Sequence, residues 1–323
     1  MIISESPSKV ILFGEHSVVY GYPAIASAIN LKTYVNVTQQ NGYTTIFSES
    51  LNLRWTYNER IPGEFLPLKR IIDVIEEKYG VTLKNGLKID IKSDVRPGSG
   101  LGSSASVAAA FAGALLYYIK GKLDAKELNE IAYEAEKVAH GTPSGIDNTV
   151  AVNGGIIKFV KTDNGPLIEK IKLNQEIPLI IVDTGLGRST RVAVSKVREL
   201  FSIESNLIKK IFEGIGHIAE RIWEDLSKKR ISLKKIGQLM NVNHGLLSAI
   251  GVSNSRIEEI VNYSREIGAY GAKITGAGLG GYVLVLPNEN NIDEIFEKLR
   301  DRYGYEKVLK IKTFNMGTVV REI

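Results

Sequence analysis

The order of hydrophobic and polar residues along the chain predicts a mixture of strands and helices. Apolar residues that alternate with polar ones predict strands, and apolar residues that recur every three or four positions predict helices. The Asn41-Gly42 pair is typical of a tight turn and predicts that strands 33–38 and 43–47 form a hairpin. The other predicted strands are 10–13, 87–93, 156–160, 178–183, 282–286 and 308–314, and the predicted helices are 66–79, 105–119, 125–139 and 292–303, with 190–265 largely helical.

The segment between the predicted strand 87–93 and the apolar helix that follows it is the most informative part of the sequence. It consists of Pro97, Gly98, Ser99, Gly100, Leu101, Gly102, Ser103, Ser104, Ala105 and Ser106. Alternating glycines let backbone N–H groups approach phosphate oxygens, and a helix N-terminus adds unpaired donors. The alternative interpretation is an ordinary turn with a serine N-cap. The segment is neither a Walker A loop nor a dinucleotide-binding loop, because the lysine and the glycine spacing of those motifs are missing.

A second glycine cluster occupies residues 276–281 and matches the string GxGxxG. It leads into the predicted strand 282–286 rather than into a helix, so a Rossmann interpretation fails on structural context. A tight turn is the ordinary explanation of such a cluster.

Bulk composition limits the classes of function. The chain has 323 residues, which favours two lobes, and its net charge of +5 weakly favours anionic ligands. Cysteine is absent, which excludes disulfides, thiol catalysis and thiolate metal sites. The longest apolar run, 105–119, is shorter than the roughly 20 residues that span a bilayer, and no signal peptide is recognisable, so we expect a cytoplasmic protein with no membrane partner. The basic cluster 228–230 with 234–235 lacks interleaved aromatics, so we expect no nucleic-acid partner.

Three charged residues could complete a phosphoryl-transfer site, which needs hard oxygens for a metal ion, a cation and a carboxylate that orients the attacking hydroxyl. Glu136 lies on the predicted helix 125–139, Asp147 follows in a loop rich in Gly, Pro and Ser, and Lys9 precedes the first strand. Each has an ordinary alternative: a solvated helix charge for Glu136, an Asx turn or N-cap for Asp147, and a surface lysine for Lys9. Taken singly, these residues do not identify a site.

Taken together, the stretches 8–21, 97–106 and 273–281 resemble the motifs of the GHMP small-molecule kinases, a family named for galactokinase, homoserine kinase, mevalonate kinase and phosphomevalonate kinase. Segments 14–21, 140–148, 183–191 and 240–251 are most similar to the mevalonate kinase branch of the family. Two positions depart from the usual pattern: Ser8 stands where the family usually has glycine, and Leu279 interrupts the glycine run.

The resemblance implies a role for each matching residue. Segment 97–106, together with Gly276 and Gly278, would bind ATP, and Ser104 and Glu136 would hold Mg²⁺. Asp147 would accept or orient the hydroxyl proton, with Lys9 beside it to steady the transferring group. The remaining implied residues, all in the substrate site, are Glu15, His16 and Thr190.

The resemblance also implies the fold and the reaction. The fold would be α+β with two lobes, 1–165 like the second domain of ribosomal protein S5 and 166–323 ferredoxin-like, with the last strand in either lobe. The reaction would be the phosphorylation of (R)-mevalonate to 5-phosphomevalonate in isoprenoid biosynthesis, with ATP and Mg²⁺, in a protein that is often a homodimer in such families. Alternatives are phosphomevalonate kinase, homoserine kinase, a mevalonate 3-kinase, or a non-catalytic sensor of nucleotide and metabolite.

Overall fold

The computed structural model describes residues 1–141, 143–187, 189–228 and 231–323. The remaining residues are Thr142 and Arg188, from two of the matching segments, and Lys229 and Arg230, from the basic cluster. The prediction that this cluster does not bind nucleic acid therefore concerns residues that lie partly outside the described ones.

Strands and long helices alternate along the described chain. The strands are β1 (Ile2–Phe13), β2 (Ala24–Tyr43), β3 (Thr45–Ser48), β4 (Leu53–Thr56), β5 (Asn85–Ser93), β6 (Ile156–Val160), β7 (Leu167–Ile171), β8 (Pro178–Asp183), β9 (Gly271–Ile274), β10 (Tyr282–Leu286), β11 (Val308–Lys312) and β12 (Val319–Glu322). The helices are α1 (Leu66–Tyr79), α2 (Ser103–Lys120), α3 (Ala125–His140), α4 (Ile146–Asn153), α5 (Thr190–Ile203), α6 (Ser205–Leu226), α7 (Leu233–Ala249), α8 (Ser255–Glu266) and α9 (Ile292–Tyr303).

The described residues pack into two compact units, each assembled from separate segments of the chain. Unit 1 comprises Met1–Lys9, Ala28–Gly154 and Asn315–Ile323. Unit 2 comprises Val10–Ser27 and Gly155–Phe314. Strands β1 and β2 therefore each contribute residues to both units.

Unit 1 is organised around helix α2. The sheet order in this unit is β12-β1-β2-β5-β3-β4, and α2 packs against α1, α3 and α4. Small alanines on several sides of α2 let neighbouring elements approach closely, and the buried Phe111 and Leu115 fill the core between them. The N-terminus of α2 is thereby fixed a short loop away from the end of β5.

The segment Asn315–Ile323 contacts two other parts of unit 1, strand β1 and helix α4. Strand β12 pairs antiparallel with β1, from Ile2 opposite Glu322 onward. The backbone N–H of Thr318 donates to the carbonyl of Val152 at 3.1 Å, and the Thr318 hydroxyl donates to the carbonyl of Ala151 at 3.1 Å. Because Ala151 and Val152 belong to α4, this segment holds the C-terminal part of that helix.

Unit 2 contains a four-stranded sheet in the order β11-β8-β10-β9, in which neighbouring strands are antiparallel. Its core includes the side chains of Phe212, Leu247 and Val283, which come from α6, α7 and β10. Strand β9 has β10 on one side. Helix α7 packs against β9, and so do residues of α8.

The predicted elements agree with the structure in most places. Helices at 66–79 and 125–139 and strands at 87–93, 156–160, 178–183 and 282–286 are confirmed, within a residue or two at their ends. The predicted hairpin of 33–38 with 43–47 is wrong. Strand β2 pairs with β5, and β3 pairs parallel with β5 and antiparallel with β4. Gly42 has a φ of 87°, and it lies where the β2–β5 register shifts, so the Asn-Gly pair produces an irregularity within β2 instead of a turn.

Two structural findings bear on the partners considered above. Among the described residues, none of the helices combines the length and the apolar character that crossing a membrane requires. In the described part of the basic cluster, Asp225 forms ion pairs with Lys228 at 3.0 Å and with Lys235 at 2.5 Å.

Candidate active site

The glycine loop (residues 97–102) leads into the N-terminus of α2, which has no side-chain cap. Gly98, Gly100 and Gly102 have φ values of 75°, 86° and 73°, which residues with a side chain rarely adopt. Gly102 is the N-cap of α2, and no side chain caps the helix there. The first N–H groups of α2 are therefore left for an external acceptor such as a phosphate oxygen, and the helix dipole favours negative charge at the same place.

The hydroxyls of the two serines after Gly102 have partners other than the backbone of the helix end. The hydroxyl of Ser103 lies 3.5 Å from the carbonyl of Val95. The hydroxyl of Ser104 donates to Glu136 Oε1 at 2.5 Å and lies 3.3 Å from His140 Nε2. The alternative interpretation of the loop, a turn closed by a serine N-cap, is therefore wrong for this structure.

Glu136 is a buried carboxylate, with 4% of its surface exposed. Burial raises the pKa of Glu136, and the negative charge of Asp147 acts in the same direction, while the hydrogen bond from Ser104 opposes them. The solvated helix charge considered from the sequence is therefore wrong. A hydroxyl and a carboxylate in hydrogen-bond contact, with a second carboxylate near them, are hard oxygen donors of the kind that Mg²⁺ takes.

Lys9 and Asp147 form an ion pair, with 3.0 Å between Lys9 Nζ and Asp147 Oδ1. Lys9 is only 6% exposed, so it is not the surface lysine of the alternative interpretation. Asp147 lies in the first turn of α4, whose N-cap is Gly145, and not at an N-cap. The pair sits against the glycine loop, because the Lys9 N–H donates to the Leu101 carbonyl at 2.8 Å and the Lys9 side chain packs on Gly102.

A cavity of about 270 Å³ opens beside the loop in unit 1. Its lining is mainly apolar, with Phe65, Leu68 and Val107 on its walls, and it includes Pro97 and Gly98 of the glycine loop and Ser104. An apolar cavity next to a phosphate-binding loop has the character of a nucleoside pocket. The sequence analysis did not identify this pocket, because its residues come from segments that are distant along the chain.

Glu15 and His16 belong to a second polar cluster, in unit 2. His16 has a φ of 62°, and its Nε2 lies 2.9 Å from the carbonyl of Ala277. Burial lowers the pKa of His16, and the contact with Ala277 opposes this. Glu15 forms an ion pair with Lys273 and accepts a hydrogen bond from Asn243 Nδ2 at 3.3 Å. Sequence reasoning missed Lys273 and Asn243 as site residues, although a lysine between apolar neighbours in a strand is a sign that it has a partner.

The other predicted site residues also lie in unit 2. Thr190 is the first residue of α5 and is exposed, and Ser189 is the N-cap of that helix. Gly276 and Gly278 have φ values of 80° and 78°. A Cβ on Gly278 would lie 2.3 Å from the Val252 carbonyl oxygen, so packing alone accounts for glycine there. Their predicted contacts with ATP and substrate stay predictions.

Comparisons with known proteins place both halves of the chain in one family. Residues 67–156 match the GHMP kinases N terminal domain, and residues 223–305 match the GHMP kinases C terminal family. A mevalonate kinase of Thermococcus gammatolerans is 37% identical over 89% of this chain and 90% of that protein. The crystal structure of L. major mevalonate kinase in complex with R-mevalonate matches with a TM-score of 0.82 and 30% identity, covering 97% of this chain and 96% of that one. The Methanococcus jannaschii mevalonate kinase structure gives a TM-score of 0.84 at 29% identity, covering 98% of each chain.

Proposed function

The chain belongs to the GHMP kinase family, and we propose that it transfers the γ-phosphate of Mg·ATP to the 5-hydroxyl of (R)-mevalonate, giving 5-phosphomevalonate. The observation that carries the proposal is the Lys9–Asp147 pair at 3.0 Å, held against a glycine loop at an uncapped helix end. The choice of mevalonate as acceptor is supported by the mevalonate kinases that the chain resembles along almost all of its length.

The loop and α2 would bind the triphosphate. Gly98, Gly100 and Gly102 have no Cβ atom to obstruct phosphate oxygens, and their positive φ values suit a backbone that turns its N–H groups inward. The N-terminal amides of α2 lack a side-chain cap. The apolar cavity next to Pro97 would hold the nucleoside. ATP would thus be bound mainly by backbone donors and by shape, which requires no charged side chain in the loop.

Ser104 and Glu136 would hold Mg²⁺. Their hydrogen-bonded oxygens fit the ion, because a hydroxyl and a buried carboxylate are hard oxygen ligands. When bound, the ion supplies charge neutralisation for the phosphates. The Ser104 hydroxyl donates to Glu136 Oε1 at 2.5 Å, and this contact keeps the two donors together.

Asp147 would orient the acceptor hydroxyl and take its proton, while Lys9 would stabilise negative charge on the transferring group. In a loose phosphoryl-transfer transition state the proton leaves late, so an orienting acceptor is sufficient and a strong base is not required. The 3.0 Å ion pair sets the positions of both side chains before substrate arrives. Such preorganisation of charge is the main source of rate in this kind of reaction.

The segment with Glu15 and His16, together with Thr190, would bind mevalonate. His16 is buried, and its pKa is lowered by that burial, so a neutral imidazole that donates or accepts hydrogen bonds is favoured.

A homodimer and a cytoplasmic location stay predictions.

A coupled assay of ADP release from the purified chain tests the proposal. We expect turnover with (R)-mevalonate that requires Mg²⁺, and none with 5-phosphomevalonate or homoserine. Nuclear magnetic resonance of the product would distinguish phosphorylation at the 5-position from phosphorylation at the 3-position. Turnover with another acceptor would replace the proposed substrate, and nucleotide binding without turnover of any acceptor would identify a sensor.

A further inference from the structure

Lys273 is a buried charge that the proposed chemistry does not use. It is 0% exposed, and it lies on β9 between Ala272 and Ile274, which are also buried. Burial lowers the pKa of Lys273, and the charge of Glu15 opposes this. An unpaired buried ammonium is strongly destabilising, so a lysine at this position depends on its partner.

Both oxygens of the partner carboxylate are engaged. Glu15 Oε1 pairs with Lys273 Nζ, and Glu15 Oε2 accepts from Asn243 Nδ2 at 3.3 Å. Lys273 Nζ also donates to the Ile274 carbonyl at 2.6 Å. With 3% of its surface exposed, Glu15 is held in one orientation by β9 and α7.

Three further contacts connect the same strand and its extension to segment 11–16. The Thr275 hydroxyl accepts from the Ile11 N–H at 3.0 Å and donates to the Ile11 carbonyl at 3.0 Å. The Ala277 carbonyl lies 2.9 Å from His16 Nε2. Residues 273, 275 and 277 therefore each hold a different point of segment 11–16.

Within segment 11–16, the residue with a strained backbone is His16. It has a φ of 62° and a ψ of −47°, the geometry of a γ-turn with positive φ, which is rare and strained for a residue with a side chain. Such a conformation persists only when the surroundings fix it. The ion pair at Glu15 is adjacent to this residue in the chain, and the Ser17 N–H donates to the Glu15 carbonyl at 2.7 Å, which closes the turn around His16.

Helix α7 in turn fixes β9 on the side away from β10. The Ala272 N–H donates to Asn241 Oδ1 at 3.1 Å, and the Ile274 N–H donates to His244 Nδ1 at 3.4 Å. These contacts give a role to the motif-like segment 240–251, to which the proposed reaction assigns none. They keep the backbone on either side of Lys273 in place.

We infer that Lys273 is a positioning residue: through the Glu15 carboxylate it fixes the turn that presents His16 to the acceptor substrate. The inference rests on the proposed function, in which segment 11–16 binds mevalonate. Lys273 itself touches neither substrate nor phosphate in this scheme. Its loss should weaken the binding of the acceptor much more than the binding of ATP.

The test compares the double variant Lys273→Met/Glu15→Gln with the single variant Glu15→Gln and with the wild-type enzyme, because Glu15 belongs to the segment proposed to bind mevalonate. If Lys273 acts through Glu15, the double variant should raise the KM for mevalonate no further than Glu15→Gln alone does. Removing both charges avoids leaving one buried and unpaired, which would cost more than removing the pair. We expect the KM for mevalonate to rise at least tenfold, while the KM for ATP changes less than threefold. The control is Lys158→Met, which removes a lysine of unit 2 that pairs with Glu169 at 2.6 Å and Glu220 at 3.3 Å, and which should leave both KM values unchanged.

A second variant covers the case in which the double variant fails to fold. Asn243→Ala releases only Glu15 Oε2 and leaves the ion pair, and we expect the same selective effect at about threefold. Unchanged KM values for mevalonate, or equal changes for mevalonate and ATP, would overturn the role of Lys273. Wild-type enzyme that releases no ADP with mevalonate would overturn the proposed function itself, and the inference with it.

Discussion

The contact between Gly102 and Lys9 provides a sharp test of how strongly the reaction depends on the position of Lys9. In Gly102→Ala, the new Cβ would lie 2.7 Å from Lys9 Cγ, which is 0.7 Å short of the 3.4 Å of an ordinary contact. Lys9 is buried, so it must move within unit 1 and away from its present 3.0 Å contact with Asp147.

The substitution should lower two quantities separately, the free energy of unfolding and kcat. The left-handed φ of 73° at residue 102 costs an alanine about 1–2 kcal/mol of folding free energy. A misplacement of about 1 Å in a reacting group lowers a rate by about 100-fold, so we expect kcat to fall about 10- to 100-fold, or about 1.4–2.7 kcal/mol of barrier.

Gly121→Ala is the matched control, because Gly121 has a φ of 66° at the other end of α2 and no atom within 4 Å of its ideal Cβ. Both variants should lose stability in urea unfolding through the left-handed φ, Gly102→Ala somewhat more because of its contact with Lys9, and only Gly102→Ala should lose kcat in the ADP-release assay at saturating substrates. Equal kcat values in the two variants would refute the argument that the position of Lys9 limits the rate.

Further predictions concern single carboxylates. Asp147→Asn should abolish turnover while ATP binding, measured by calorimetry, stays near the wild-type value; a kcat above about a tenth of wild type, a barrier change of only ~1.4 kcal/mol, would argue against its role. Glu136→Gln should raise the Mg²⁺ concentration needed for half-maximal rate, and an unchanged metal dependence would remove Glu136 from the ion's ligands. Despite its desolvation, hydrogen bonds from Lys120 and Lys78 lower the pKa of Glu127 from 4.5 to about 2. The contribution of Glu127 to stability is therefore present above pH 4.5 and lost as the pH falls to about 2. The difference in unfolding free energy between wild type and Glu127→Gln, measured by urea unfolding, should be larger at pH 7 than at pH 2. A constant difference would contradict this.

Much of the unit 1 site could be predicted because its chemistry is local in sequence. The loop 97–106 contains the glycines, the helix start and Ser104 within ten consecutive positions, and a strand and an apolar helix on either side reveal its context. Glu136 and Asp147 were predicted only through the resemblance to a family, because a carboxylate on a helix is usually solvated. Their burial and pairing are tertiary properties.

The features that could not be predicted depend on contacts between distant segments. The hairpin prediction failed because the turn signal at Asn41-Gly42 competes with the pairing of β2 with β5, in which Tyr43 lies opposite Asn85, 42 positions further along the chain. Segment 10–27 gives no sign in its own sequence that it packs with unit 2, and strand β12 was not predicted. The contacts of Lys273 with Glu15 span 258 positions, so no local pattern could reveal them.

The pairing of β1 with β12 has a consequence for the protein during translation. All of the residues proposed for chemistry in unit 1 have been synthesised once Asp147 is complete, yet α4, which carries Asp147, is held by Thr318. A nascent chain that has not reached segment 315–323 therefore has the reacting groups but not the support of the helix that presents one of them. Ribosome-bound intermediates should thus remain inactive until segment 315–323 emerges.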